Sequence, residues 1–189
     1  MALTHPIRDK SHLKQLANYF IGRGQYRNHL LLVTGAHTAL RIGDILKLKW
    51  ADVYDTERGA FHSHITLTEH KTGKSRTIAL HPAVINALRL YFPYRYGEFI
   101  FAGNRKDNKA ISRIQAWRII HYAAAALRIG IKGNLHALRK SYGYWAWKEG
   151  VSPVVIMAIF NHSSFDVTKR YIGISQDEID QAYLAVALF

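Results

Sequence analysis

Between Phe61 and Leu80 the spacing of apolar residues changes from helical to strictly alternating, and beyond that stretch it changes back. Phe61, Ser63, Ile65 and Leu67 take every second position, Lys71-Thr72-Gly73-Lys74 supplies a turn, and Arg76, Ile78 and Leu80 alternate again. This is the pattern of a β-hairpin with Lys71 at or beside its bend. The remaining apolar runs have helical period, so the fold class is mainly α (α+β), a helical domain carrying one small antiparallel β-sheet.

The helical segments can be placed from their start and stop signals. Leu13, Leu16, Ala17 and Phe20 recur at helical spacing from Asp9 to Phe20, with Gly22 and Gly24 as a stop. Tyr26 to about Ala39 is a second run, interrupted by Gly35, and Ile42, Ile45, Leu46 and Leu48 suggest a third ending near Trp50. Pro82 suits the first position of a helix reaching Phe92, and EFIFAG suggests a short edge strand. Ser112 can cap a helix stopped by Gly130, and another spans about His136 to Lys148. Ser152 and Pro153 look like the cap and first position of PVVIMAIF, Asp166 can cap a short helix carrying Tyr171, and Gln176 to Phe189 is a final helix.

Charge narrows the partners. Twenty-six Lys and Arg stand against thirteen Asp and Glu, a net +13 with histidines neutral, and the cations are interleaved with Trp, Tyr and Phe inside the helical runs. A polyanionic partner follows, although a merely basic or ribosome-associated protein would carry the same charge. The 189 residues suit one domain, no cysteine is present for a disulfide or Cys-based metal site, and no apolar run reaches a membrane span. The start MALTHPIRDK lacks a signal-peptide pattern, so a cytoplasmic location is expected.

Three separated segments hold groups suited to phosphoryl transfer. ALRIGDILKLKW puts Arg41 at a helix start, LHALRKSYG puts His136 and Arg139 on one helical face, and HSSFDVTKRY supplies His162 and Tyr171, with Lys71 of EHKTGK a fourth contribution. In this order these boxes resemble those of the tyrosine recombinases of the lambda-integrase (phage integrase) family, over nearly the whole chain. Three neighbouring positions depart from the family pattern: Ala39 and Asn161 stand where Gly is usual, and Asp44 where Glu is common.

The resemblance implies a helical DNA breaking-rejoining catalytic domain acting on double-stranded DNA in integration, excision or inversion, in a bacterial or phage context and associated with the nucleoid. It implies the catalytic set Arg41, Lys71, His136, Arg139, His162 and Tyr171. Arginine forks hold phosphate oxygens bidentately and stay cationic, so Arg41 and Arg139 would clamp the scissile phosphate. Lys71, with Lys74 beside it as the alternative, would protonate the leaving 5′-oxygen. His136 would assist as acid/base beside Tyr171, His162 would donate to the phosphate, and Tyr171 would attack to give a 3′-phosphotyrosyl intermediate. Rejoining then needs no ATP, cofactor or metal; His62 and His64 face one side of a strand without an evident third ligand.

Lys74, Arg76, Arg113, Arg118 and Lys140 are candidate DNA-binding residues that position the backbone rather than read bases, and Lys169 and Arg170 touch DNA or face solvent. Only forty residues precede Arg41, which is similar to short members such as fimbrial-switch recombinases that lack an amino-terminal core-binding domain. The resemblance also implies a homo-tetramer on DNA, with the apolar last helix docking on its own core or on a neighbouring protomer. A type-IB-topoisomerase-like nicking-closing enzyme and a DNA-binding regulator with weak or no strand exchange are the alternatives.

Overall fold

Asp9 opens the first helix by accepting the Ser11 N–H at 2.7 Å, and α1 runs Lys10–Ile21. The computed structural model describes residues 4–68, 73, 75–103, 108–130, 135–174, 180 and 183–187. The second helix, α2, spans Tyr26–His37 without a break at Gly35. The third is much shorter than its apolar spacing suggests: α3 covers only Ile42–Ile45. The backbone beyond it is claimed by another segment, since Trp50 N–H donates to Glu98 O at 3.0 Å and Ile100 N–H to Leu48 O at 2.9 Å. A 3-10 turn at Trp50–Asp52 follows, and the expected EFIFAG strand is reduced to isolated bridges, Lys49 with Phe99 and Ala102 with Ala110.

The alternating stretch forms two ladders instead of one. Tyr54–Asp55 (β1) pairs with Ala60–Phe61 (β2), and His64–Thr68 (β3) pairs antiparallel with Ser75–Ala79 (β4), Ile65 opposite Ile78 and Leu67 opposite Arg76. Phe61 leaves the longer hairpin because its ring packs with Tyr54 at 5.0 Å and Phe92 at 5.3 Å. The residues expected at the bend, Lys71 and Lys74, lie outside the described residues.

The later helices follow their signals closely. α4 is Pro82–Tyr91, α5 is Arg113–Ala126 capped by Ser112, α6 is His136–Lys148 and α7 is Pro153–Phe160. α5 stops before Gly130 because Arg128 already turns the chain with φ 57°. The helix carrying Tyr171, α8, spans Phe165–Ile172 and is capped by Ser164, not Asp166; the Ser164 hydroxyl accepts the Val167 N–H, and Asp166 lies inside the first turn. Of the final helix expected over 176–189, Asp180 and 183–185 are helical, Val186 and Ala187 are not, and the rest lies outside the described residues.

Two apolar clusters result. The larger surrounds α2, whose Leu30, Leu31 and Leu32 pack with Leu16 and Phe20 of α1, Val84 and Leu88 of α4 and Ile120 of α5. The smaller joins Ala39, just past α2, to Ala146, Ile156, Phe160 and Ile172 of α6, α7 and α8. Burial of such side chains contributes on the order of 1.5–3 kcal/mol each.

The smaller cluster depends on a helical glycine. A Cβ on Gly143 would lie 2.6 Å from Phe160 Cε2 and 2.6 Å from Ile172 Cγ2, so only glycine lets α6 lie this close to α7 and α8. Gly35 also lies at a close approach of α2 to α6, but there a Cβ would meet the end of the Leu138 side chain, Cδ1 at 2.8 Å, which can turn aside more cheaply. Gly143→Ala is expected to cost about 1–3 kcal/mol despite the better helix propensity of alanine, because the overpacked helices must separate. Denaturant unfolding measures this directly, and an unchanged or raised midpoint would show that α6 and α8 are not held at this spacing.

Candidate active site

Arg41 and Arg139 are brought together by a tight turn at the end of α2. Thr38 closes that helix with its N–H donating to Thr34 O at 3.1 Å and its hydroxyl donating to the same oxygen at 2.8 Å. Ala39 then takes φ 52° and is wholly buried, a left-handed conformation costing an alanine roughly 1–2 kcal/mol. The turn directs the Ala39 carbonyl at Arg139, whose Nη1 donates to it at 2.5 Å. Arg41 follows as the residue preceding α3, its carbonyl accepting from Asp44 and Ile45.

Arg139 is 3% exposed, and its guanidinium is held on several sides. Nη2 donates to Phe160 O at 3.3 Å, and the group lies 4.9 Å from the centre of the Phe160 ring. Phe160 ends α7, and Asn161 beyond it adopts φ 54° with its N–H on Ala158 O at 3.1 Å. Thus Ala39 and Asn161, both unusual against the resembled pattern, occupy positive-φ positions where glycine is the unstrained choice. Asn tolerates that region better than alanine does.

His162 and Tyr171 face each other across the turn into α8. Their ring centres are 5.1 Å apart with planes at 76°, and both rings contact Phe160, His162 at 5.4 Å and Tyr171 at 5.2 Å. His162 Nδ1 lies 3.0 Å from the Thr168 hydroxyl. Burial pushes the Tyr171 hydroxyl above its ordinary value; the Arg139 charge, a hydrogen bond from Arg139 and the Arg41 charge act against that rise. The His162 ring lies below its ordinary value, first through burial and then through Arg139 and Arg41.

The other expected residues that the structure describes lie on α5, α6, β4 and α8. His136, at the first position of α6, is exposed and lines an open cavity of about 310 Å³ with Ile42, Arg113, Ile114, Trp117 and Leu135. Arg113 and Arg118 are exposed on α5. Arg76 on β4 is close enough to lower the Tyr142 hydroxyl, against a larger upward effect of burial, so this strand approaches α6 one turn past Arg139. Lys140 turns inward: its Nζ donates to Thr4 O at 2.7 Å and lies 5.1 Å from the centre of the Tyr171 ring, and burial lowers its ordinary value. Lys169 is half-buried and Arg170 exposed.

Some contributors have little signature in the sequence. The segment before α1 straps across α6, with Ile7 N–H donating to Ser141 Oγ at 2.7 Å and Trp145 Nε1 donating to Ile7 O at 3.0 Å. Arg8 donates to the carbonyl of Gly173, the cap of α8. Thr168, wholly buried, was readable only as Ser164 plus four in a helix.

Burial is the leading cause of lowered values at His29, His37 and His162 alike. The unfolded chain, with imidazoles near pH ~6.5, therefore binds more protons than the folded one as acid is added. Stability is complete above that pH and is lost as pH falls through the lower folded values. Thermal melts should show a melting temperature that declines from about pH 7 toward pH 5; a constant one would contradict this linkage.

A profile of the phage integrase family matches residues 9–178. The probable integrase/recombinase YoeC of Bacillus subtilis is 35% identical over 184 residues, covering 97% of this chain and 97% of that protein. Tyrosine recombinase XerA of Pyrococcus furiosus is 26% identical over 166 residues, covering 86% of this chain but only 55% of that protein. Among solved structures, a XerA recombinase superposes with a TM-score of 0.76 at 20% identity, over 96% of this chain and 63% of that one. The XerH recombinase bound to its palindromic difH substrate in a post-cleavage complex also gives 0.76, at 17% identity, over 97% and 53%. The chain thus spans nearly all of YoeC and between half and two thirds of the XerA and XerH chains.

Proposed function

The chain belongs to the phage integrase family and has the fold of its tyrosine-recombinase catalytic domain, and from that premise we propose that it exchanges DNA strands at a specific site through a 3′-phosphotyrosyl intermediate. The observation that carries this reading is the half-buried Tyr171, its hydroxyl set against Arg139 and Arg41, two permanent cations fixed by different elements. A phosphodiester entering between them would find its non-bridging oxygens stabilised by groups already in position. Tyr171 is the nucleophile, Arg41 and Arg139 stabilise the pentacoordinate phosphate, His136 and His162 assist from either side, and Lys71 protonates the leaving 5′-oxygen.

Double-stranded DNA is the partner, held by the net +13 charge and by exposed cations such as Arg118 and Arg113, the latter lining the His136 cavity. Residues 1–189 form one catalytic domain. On DNA it works as a homo-tetramer in which the final segment leaves its own core and packs on a neighbour. Two features support that assembly: Tyr183, Leu184 and Val186 are 79%, 85% and 66% exposed, and an apolar groove of about 820 Å³ is lined by Leu13, Ala17, Leu32, Tyr142 and Trp145.

The test uses DNA captured covalently from cells and sequenced to define the site. Plasmids carrying two such sites should yield recombinant products with purified protein and no ATP or added metal. Relaxation of supercoils without recombinants would make the chain a nicking-closing enzyme, and footprinting without any covalent adduct would make it a binding regulator.

A further inference from the structure

The contact between His162 and Thr168 fixes more than a ring orientation. Thr168 is wholly buried, and its hydroxyl lies 3.3 Å from Ser164 O, the carbonyl one turn earlier in the helix, as a donor. A hydroxyl has a single proton. With that proton on Ser164 O, the Thr168 oxygen can only accept from His162 Nδ1, which lies at 3.0 Å. In that arrangement His162 carries its ring proton on Nδ1, and when neutral its Nε2 is a lone pair and not a donor; a Thr168 proton turned to Nδ1 instead gives the opposite tautomer.

We propose that Thr168 is a positioning residue for the strand-cleavage step: by holding His162 as the Nδ1–H tautomer, it makes Nε2 the acceptor of the Tyr171 hydroxyl proton. This rests on the recombinase reading above and departs from the roles that family resemblance suggests, in which His162 only donates to phosphate. In the step, the Tyr171 oxygen bonds to phosphorus as the bond from phosphorus to the 5′-oxygen breaks. The tyrosyl proton passes to His162 Nε2, and the leaving 5′-oxygen takes a proton from the lysine general acid. The imidazolium so formed keeps Nδ1–H on Thr168 and can donate from Nε2 to a non-bridging oxygen. Rejoining returns that proton to Tyr171.

The surroundings suit the role. The Tyr171 and His162 rings are 5.1 Å apart, and the charged or titratable groups about them are Arg41 before α3, Arg139 and Lys140 on α6 and Tyr171 itself on α8. These cations, together with burial, favour neutral His162, the form able to accept a proton.

Long-range proton–nitrogen NMR spectra of the full chain labelled with nitrogen-15 histidine test the tautomer without DNA, His162 being assigned by its loss in His162→Gln. Wild type should show protonated Nδ1 and bare Nε2 at neutral pH, Thr168→Ser should keep that pattern, and Thr168→Val should lose it. Protonated Nε2 in wild type, or an unchanged pattern in Thr168→Val, overturns the proposal. On a nicked suicide duplex carrying the captured site, the rate of Tyr171-dependent adduct formation should fall in acid with the midpoint of the His162 titration. Thr168→Val should slow it by about tenfold or more at neutral pH, and Thr168→Ser should restore most of the rate. A wild-type rate that does not change through the His162 titration overturns proton acceptance alone, whereas no Tyr171-dependent adduct at any pH overturns the recombinase reading itself.

Discussion

Tyr171→Phe should leave the fold intact and reduce covalent capture of DNA by roughly 10⁴-fold or more, to an undetectable level. The variant removes only the hydroxyl. The ring keeps its contacts with Phe160 at 5.2 Å and His162 at 5.1 Å, so α8 remains docked on α6 and α7. It also loses the hydrogen bond with Arg139, a modest cost to stability because Arg139 retains the Ala39 and Phe160 carbonyls. The check is a nicked duplex carrying the captured site, run beside a thermal melt. A melting temperature near wild type with no protein–DNA adduct is expected. An adduct that survives the change would mean that another residue attacks.

Arg139→Lys should be nearly as damaging although it preserves the charge. The guanidinium donates to two carbonyls from separate elements while facing Tyr171, a task suited to a planar fork. An ammonium has a single nitrogen and a shorter reach, so it cannot satisfy both carbonyls and also stabilise a phosphate. Cleavage is expected to fall by about 10²–10³-fold, the range seen when one donor to a developing oxyanion is removed. Stability should fall by about 1.5–3 kcal/mol, since charge-assisted hydrogen bonds are lost in a buried place. Single-turnover adduct formation and denaturant unfolding report the two effects separately. If Arg139→Lys lowers stability but cleaves at the wild-type rate, Arg139 is a brace for the Ala39 turn and not part of the phosphate clamp.

The sequence is most readable where a local signal decides the structure. Pro153 and the apolar run after it gave α7, and His136 and Arg139 appeared on one face of a helix whose bounds the fold reproduces. Local signals failed where distant backbone or side chains compete. The helix expected toward Trp50 ends at Ile45 because the segment at 98–100 takes its backbone hydrogen bonds. Phe61 alternates correctly for the long hairpin yet belongs to another ladder, drawn there by Tyr54 and Phe92. Asp166 was the expected cap of α8, whereas Ser164, two residues earlier, takes that place, a difference that only the turn geometry decides.

For the site, residue type and order pointed to the candidate groups, but not to what fixes them. Nothing in the period of α6 says that Gly143 must admit Phe160 and Ile172, or that the Ala39 carbonyl anchors a guanidinium 100 residues away. Those are facts of tertiary approach. The departures at Ala39 and Asn161 were visible as unusual residues, and only the backbone angles explain why those positions matter.

The central claim is that Tyr171 becomes covalently joined to a DNA 3′-phosphate. The most direct measurement is mass spectrometry of the peptide left on DNA after the suicide adduct has been digested with protease and nuclease. A single modified peptide, carrying a nucleotide 3′-phosphate on Tyr171, is the predicted result. A nucleotide linked to any other residue, or through a 5′-phosphate, would contradict it.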